Sequence, residues 1–235
     1  MDLKRFFTDN INEKDSVAVL EGEEFFHAVK VTRHKVGYKL IVCNNTKYDY
    51  YCTVTNVNSD SLIAKIDEKK LNDAETDRDI TLYIGLNKDI DTVVQKAVEL
   101  GIKRIVPYYS QHSNVDKINI DRLNKIVLES SKQCGRSTLA KIEPVIKIDE
   151  AIDDAKNTDI MFFYEFERDN KVSDTELRHN DISIFIGPEG GYSMEEKEKF
   201  VKVGANVLTL GKRILRISTA VVSAITLVLE KTGEI

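Results

Sequence analysis

Gly187-Pro188-Glu189-Gly190-Gly191 breaks off an apolar run, Ser183-Ile184-Phe185-Ile186, with three glycines and a proline in five residues. Glycines let a backbone turn sharply and approach a ligand closely, and Pro188 fixes one torsion of the turn. Ser193-Met194-Glu195-Glu196 behind it has the form of a capping box, a start signal for a helix. Free N–H groups at such a start suit an anionic or carbonyl-bearing ligand. The pattern is neither GxxxxGK[ST] nor GxGxxG, so it is not a nucleotide P-loop or a dinucleotide fingerprint. Taken alone, it fits a structural turn as well as a ligand loop.

Leu210-Gly211-Lys212-Arg213-Ile214-Leu215-Arg216 is the second candidate, with three cations within five residues of a glycine. It reads either as a solvated loop or as a loop that closes over a ligand and aims one Arg at substrate. An apolar run follows it to Leu229. Both glycine loops end short apolar segments, residues 183–186 and 206–210, so two strand ends deliver them within about one βαβ unit. Ligands of open α/β sheets bind in crevices outside the carboxyl ends of strands. The chemistry of this chain is expected there.

The elements that must position these loops begin at Ile80. Residues 80–86, 103–108, 159–164 and 182–186 read as strands; residues 89–100, 120–134 and 149–155 read as helices. Gly101 and Gly135 close the first two helices. This alternation predicts a mainly parallel sheet covered by helices. The block before it reads as mostly β, with strands at Phe6-Phe7 and residues 17–20, 38–43, 48–57 and 61–66. Residues 21–31 have helical spacing, with Phe25, Ala28 and Val29 on one face. Asn44-Asn45-Thr46 reads as a hairpin turn, and Tyr50, Cys52, Val54 and Asn56 share a strand face. Short strands of this kind suggest a small barrel. The charged stretch 67–79 reads as the linker between two domains.

The totals set limits. Of the 235 residues, 42% are hydrophobic and 31% charged, the balance of a soluble globular chain. No apolar run approaches the ~18 residues of a membrane span, and no signal peptide is visible. Cys43, Cys52 and Cys134 lack CxxC spacing, and His27, His34, His112 and His179 are scattered, so no metal site is expected. The net charge of −5 argues against a general polyanion binder. Yet residues 28–47 carry Lys30, Arg33, Lys35, Lys39 and Lys47 with no acid, and residues 199–229 are likewise acid-free with five cations. Such windows favour local phosphate-facing surfaces.

The pairing of Phe185-Ile186-Gly187-Pro188-Glu189-Gly190-Gly191 with Leu210-Gly211-Lys212-Arg213-Ile214-Leu215-Arg216 resembles the ribosomal RNA small subunit methyltransferase E family, of the SPOUT class. Gln95-Lys96-Ala97-Val98-Glu99-Leu100-Gly101 resembles that family's first catalytic-domain helix, and Ser131-Lys132-Gln133-Cys134-Gly135-Arg136 its later helix end. Arg5-Phe6-Phe7, His27 and Val31-Thr32-Arg33 are similar to its PUA-like RNA-binding barrel. The resemblance covers nearly the whole chain, in the family's order.

The resemblance implies an α/β fold: a PUA-like β-barrel over residues 1–70, then a SPOUT-type domain with a deep trefoil knot over residues 71–235. It implies S-adenosylmethionine as methyl donor, held bent by Ile186, Gly187, Glu189, Gly190, Leu210, Gly211, Ile214 and Leu215. Arg216 would be the catalytic residue, and Arg5, His27, Arg33 and Arg136 would bind RNA. The implied reaction is methylation of N3 of one uridine in 16S ribosomal RNA of the assembled small subunit. It is expected of a cytoplasmic homodimer with no membrane and no metal. Uridine N3 must lose a proton, and charge then develops on O2 and O4. A guanidinium, planar and always cationic, suits that charge. The alternatives are a 2′-O-ribose methyltransferase of the SPOUT class and a non-catalytic RNA-binding protein of the same fold. Two positions depart from the family's pattern: Ser218 stands where a Glu is usual, and Thr32 where Leu is common.

Overall fold

The computed structural model describes residues 3–235, and the chain follows two rhythms within it. Contacts divide it into two units. One runs up to Glu75 and takes in Ser131–Leu139; the other comprises Thr76–Ser130 and Ala140–Ile235. The first unit is thus discontinuous in sequence, which a single boundary at residues 70/71 does not describe.

In the first unit, β1 (Arg5–Phe7), β2 (Ile11–Asn12), β3 (Val17–Glu21), β4 (Lys39–Cys43), β5 (Tyr48–Val57) and β6 (Ser61–Leu71) form one sheet in the order β1-β4-β5-β6-β3-β2. Only β1 and β4 run parallel. Strand periodicity sends alternate residues to one face. Phe6, Ala18, Leu20, Leu40, Val42, Tyr50, Cys52, Val54, Leu62 and Ala64 therefore meet in a single core, closed by Ala28. Convergence of one face of so many strands on one core is the packing of a small barrel.

Local differences from the expected elements have physical causes. The β5–β6 register shifts between Val54 and Asn56, so Asn56 faces solvent and Val57 packs on the core instead. β6 continues to Leu71, paired with Tyr48–Tyr51, so the charged stretch expected as a linker from Asp67 begins as strand. Pairing uses the backbone, and the charged side chains stay in water. The helical segment expected over residues 21–31 is α1 (Gly22–Phe26) followed by a π-helical turn, His27–Val31. Thr32 N–H reaches back five residues to the His27 carbonyl at 2.9 Å.

The returning segment is fastened by buried polar groups. The Arg136 guanidinium lies 3.2 Å from the Glu75 carboxylate, and the two side chains are 3% and 1% exposed. Arg5 makes a two-pronged ion pair with Asp49, its Nη2 donating to Oδ2 at 2.9 Å, and Ser137 Oγ donates to the same carboxylate. Arg5 and Arg136, expected at RNA, thus each engage a carboxylate of the first unit. Both guanidinium groups are turned inward, because a buried carboxylate stands opposite each.

In the second unit, β7 (Ile80–Gly85), β8 (Arg104–Tyr109), β9 (Lys141–Ile142), β10 (Ile146–Lys147), β11 (Asp159–Phe163), β12 (Ile182–Ile186) and β13 (Asn206–Leu208) form a wholly parallel sheet. Its order is β10-β8-β7-β12-β11-β13, with β9 also on β8. The helices are α2 (Ile90–Glu99), α3 (Ile120–Cys134), α4 (Ile148–Asp154), α5 (Met194–Lys202) and α6 (Ile217–Thr232). α2 and α6 pack on each other, and the last turn of α3 counts with the first unit. On the other side Phe200 of α5 stacks on Phe162 at 3.9 Å, and Tyr83 stacks on Phe185 at 4.3 Å. Each such buried aromatic contributes on the order of 1.5–3 kcal/mol, which fixes α5 against the sheet. Among the described residues, no helix is long and apolar enough to cross a membrane.

Candidate active site

The strand order reverses around β11. The chain passes from β11 to β12 on one side and then crosses to β13 on the other, so the loops after β12 and β13 flank the carboxyl end of β11. Such a reversal point opens a crevice at the strand ends. Here a cavity of about 300 Å³ lies among all three loops.

The first wall is the loop after β12. Gly191 has φ +70° and closes a turn through its N–H to the Pro188 carbonyl at 3.0 Å. A Cβ on Gly191 would lie 1.8 Å from Glu165 Oε1, which accepts the Tyr192 N–H at 3.2 Å. A Cβ on Gly187 would press on the Tyr192 ring at 2.8 Å. Both positions thus need glycine for close approach. Gly191→Ala is expected to cost at least about 1–2 kcal/mol from the left-handed backbone alone, before the clash. Its donor Kd, measured by calorimetry, should rise about tenfold or more.

The capping box reads out in full. Ser193 Oγ accepts the Glu196 N–H at 3.2 Å, and Glu196 Oε2 accepts the Ser193 N–H at 2.9 Å. Glu196 Oε1 accepts from Ser110 Oγ at 2.9 Å and Gln111 N–H at 2.8 Å, so the buried carboxylate also ties down the loop after β8. Behind the wall, the Tyr108 hydroxyl donates to the Ile186 carbonyl at 3.1 Å and lies 2.5 Å from the Tyr192 hydroxyl. Burial pushes both phenols above their ordinary range, so they remain neutral scaffolding rather than proton acceptors. Glu189 Oε1 accepts the Lys88 N–H at 2.9 Å and holds the loop from its outer side.

The second wall is the loop after β13, a strand that ends at Leu208, two residues before the expected end. Gly211 has φ +99°, and its N–H donates to Thr209 Oγ1 at 3.0 Å. Ile186, Gly187, Glu189, Gly190, Leu210, Gly211, Ile214 and Leu215 all line the one cavity. Arg216 does not line it. It is exposed and caps α6 through an extended backbone, its carbonyl accepting the Ala220 N–H at 2.9 Å. His27 is half-buried and Arg33 exposed, both in the first unit.

The third wall was not singled out from sequence. Phe163 ends β11 and Tyr164, Glu165 and Phe166 follow it, and Arg213, Ile217 and Ala220 also reach the cavity. The signal available was the end of the apolar run 159–164, but only the strand order shows that it lies between the glycine loops. Apolar surface, glycine backbone, the carboxylates of Glu165 and Glu189 and the Arg213 side chain thus line one crevice. That set suits an adenosine-type ligand carrying positive charge.

Comparison with known proteins adds independent findings. A family described as "RNA methyltransferase domain" matches residues 74–229, and one described as "RNA methyltransferase PUA domain" matches residues 20–67. The chain is 32% identical over 229 residues to a ribosomal RNA small subunit methyltransferase E of Mesomycoplasma hyopneumoniae, covering 94% of this chain and 97% of that protein. It is 29% identical to the protein of the same name from Rickettsia conorii, covering 96% of this chain and 94% of that one. The crystal structure of the Neisseria gonorrhoeae protein of that name, bound to S-adenosyl methionine, superposes with a TM-score of 0.89 at 26% identity. That match covers 97% of this chain and 98% of the other.

Proposed function

The chain belongs to the ribosomal RNA small subunit methyltransferase E family, and we propose that it methylates N3 of one uridine in 16S ribosomal RNA with S-adenosylmethionine as donor. It joins an N-terminal PUA-like domain to a C-terminal SPOUT-like methyltransferase fold. The observation that carries the reading is the meeting of both glycine loops in one cavity. The cavity also fits the donor: Ile186, Leu210 and Leu215 give it apolar lining, Gly187, Gly190 and Gly211 give it bare backbone, and Glu165 and Glu189 bring carboxylates to its wall.

The donor, when bound, supplies a methyl group on a positively charged sulfur. Ile186, Leu210, Ile214 and Leu215 would hold its apolar surface, with backbone at Gly187, Gly190 and Gly211 close against it. Positioning by these rigid loops is a large part of the rate such an enzyme can reach. Arg216, exposed at the rim of the second loop, would stabilise the negative charge developing on uridine O2 and O4. His27 and Arg33 would contact RNA from the first unit. The same reading extends to a trefoil knot beside the donor, an assembled small subunit as substrate and a cytoplasmic homodimer with the site near its interface. Ile214, 87% exposed, and Leu227, 41% exposed, are apolar groups that a second copy would cover.

The deciding experiment incubates the protein with labelled methyl donor and unmodified small subunits, followed by nucleoside analysis. N3-methyluridine is the expected product. A ribose methyl would assign the 2′-O reaction instead, and donor binding without transfer would leave only an RNA-binding role. Ser218 lies between Ile217 and Ala220, which line the cavity. Ser218→Glu is expected to raise kcat by about tenfold at unchanged donor Kd, since a carboxylate there adds a proton acceptor. Equal kcat values would show that the reaction needs none at that position.

A further inference from the structure

Methylation at a base nitrogen dictates how the target nucleotide arrives. An enzyme that works on a base must have it out of the stack, and an unstacked base is stabilised by lying on an aromatic ring. Stacking uses the face of the base and leaves the N3 edge free to point at the donor. The receiving ring must therefore stand at the mouth of the donor cavity with one face open to solvent.

Four aromatic residues line that cavity among the described residues: Phe163, Tyr164, Phe166 and Tyr192. Phe163, Tyr164 and Tyr192 are buried, whereas Phe166 is 64% exposed. Phe166 is thus the one aromatic of the cavity wall with a face left to offer. A large apolar ring in water at a cavity rim is unfavourable until something covers it.

The ring is also held in place. The Glu167 N–H donates to the Tyr164 carbonyl at 3.1 Å, closing a turn in which Phe166 is the third residue. Glu167 Oε1 accepts the N–H groups of Arg168 and Asp169 at 3.0 Å and of Asn170 at 3.3 Å. Arg168 Nη1 donates to the Glu165 carbonyl at 2.6 Å and to the Glu167 carbonyl at 3.0 Å. Both charged side chains are therefore engaged by the loop's own backbone. The Asn170 carbonyl accepts the Thr209 N–H at 2.9 Å and ties the loop down just beyond β13. The Phe166 ring meets Tyr164 edge-on at 5.5 Å, Tyr164 lies near-parallel to Phe162 at 5.9 Å, and Phe162 stacks on Phe200 at 3.9 Å. This row of rings runs from the core to the rim and leaves its last member uncovered. A ring fixed in this way loses little freedom when a ligand settles on it.

We propose that Phe166 is the platform on which the target uridine base stacks, with its N3 edge turned toward the methyl group of the donor. The proposal rests on the uridine-N3 reading above and adds the residue that holds the base.

The test measures methyl transfer to unmodified small subunits, with donor Kd from calorimetry and thermal unfolding as the folding control. Phe166→Ala should lower kcat/KM for the subunit about fivefold or more, the loss of one base–aromatic stack, at unchanged donor Kd. Phe166→Tyr and Phe166→Trp keep a ring and should stay within about twofold of the parent. Phe166→Leu keeps apolar bulk without a ring face and should be as slow as Phe166→Ala. A Phe166→Leu as fast as the parent would overturn the proposal, since apolar contact would then suffice. A rise in donor Kd large enough to account for the lost rate would overturn it as well, by assigning the ring to the adenine of the donor. Nucleoside analysis separates the two levels. A parent that makes N3-methyluridine beside a Phe166→Ala of equal rate refutes the platform alone. A parent that places no methyl on uridine N3 refutes the reading beneath it, and the platform falls with it.

Discussion

Arg216→Ala is expected to lower kcat by roughly 10²–10³-fold, the cost of removing one donor from a developing oxyanion, while donor Kd stays as in the parent. Two structural facts separate these effects. Arg216 is not among the residues lining the donor cavity, so its loss removes no wall. Its guanidinium is exposed and makes no side-chain hydrogen bond among the described residues, so stability should change by no more than about 0.5 kcal/mol. The α6 cap survives because the bond to Ala220 N–H uses the Arg216 backbone. Arg216→Lys should recover only part of the rate, since an ammonium keeps the charge but lacks the planar fork. Single-turnover kinetics with small subunits, beside donor calorimetry, makes the measurement. Undiminished turnover in Arg216→Ala would show that the catalytic assignment is wrong.

The second large effect concerns stability. Glu75→Ala should destabilise the first unit by about 3–5 kcal/mol, because it breaks a buried ion pair and leaves the Ser137 and Thr138 donors without their acceptor. The carboxylate is unusually well satisfied. Ser137 N–H at 2.9 Å and Thr138 N–H at 2.8 Å donate to one oxygen, and Thr138 Oγ1 at 2.7 Å and Arg136 Nη2 at 3.2 Å to the other. Burial by itself would raise the Glu75 pKa; the Arg136 charge and the Thr138 hydrogen bonds outweigh it and hold the group below its ordinary 4.5. Asp49 follows the same balance, with burial opposed by hydrogen bonds from Arg5 and Ser137. A depressed carboxylate contributes stability that is whole above the unfolded-state value and is lost as pH falls through the folded one. The parent should therefore lose stability progressively below about pH 4.5, the ordinary glutamate value. Glu75→Gln should be less stable at neutral pH and should flatten part of that acid slope. Urea midpoints across pH, followed by a first-unit probe, measure both. An unchanged acid profile in Glu75→Gln would sink the account.

These two arginines show where sequence reading reaches and where it stops. Arg136 and Arg216 look alike in the chain: each ends or starts a helix, and each belongs to a motif of the family. One is buried against a carboxylate 61 residues away; the other stands in water. Arg5 shares the fate of Arg136, paired with Asp49 at a separation of 44. No local pattern encodes a partner at that distance. The same limit applies to Phe163, Tyr164, Glu165 and Phe166. Their place at the cavity follows from β11 lying between β12 and β13, and strand order is a property of the sheet.

What the sequence by itself determined is the local chemistry. The helix over residues 120–134, the Ser193–Glu196 capping box, and the positive-φ glycines 101, 135, 191 and 211 depend on neighbours within a turn or two. Such short-range terms hold wherever the segment is placed. The tertiary structure alone decided which strand ends meet in one cavity, and which cations are taken up by buried carboxylates. It also left Lys30, Arg33, Lys35, Lys39 and Arg216 exposed. The physical reason is that burial and ion pairing are settled by contacts between distant segments, and those exist only once the two units have folded.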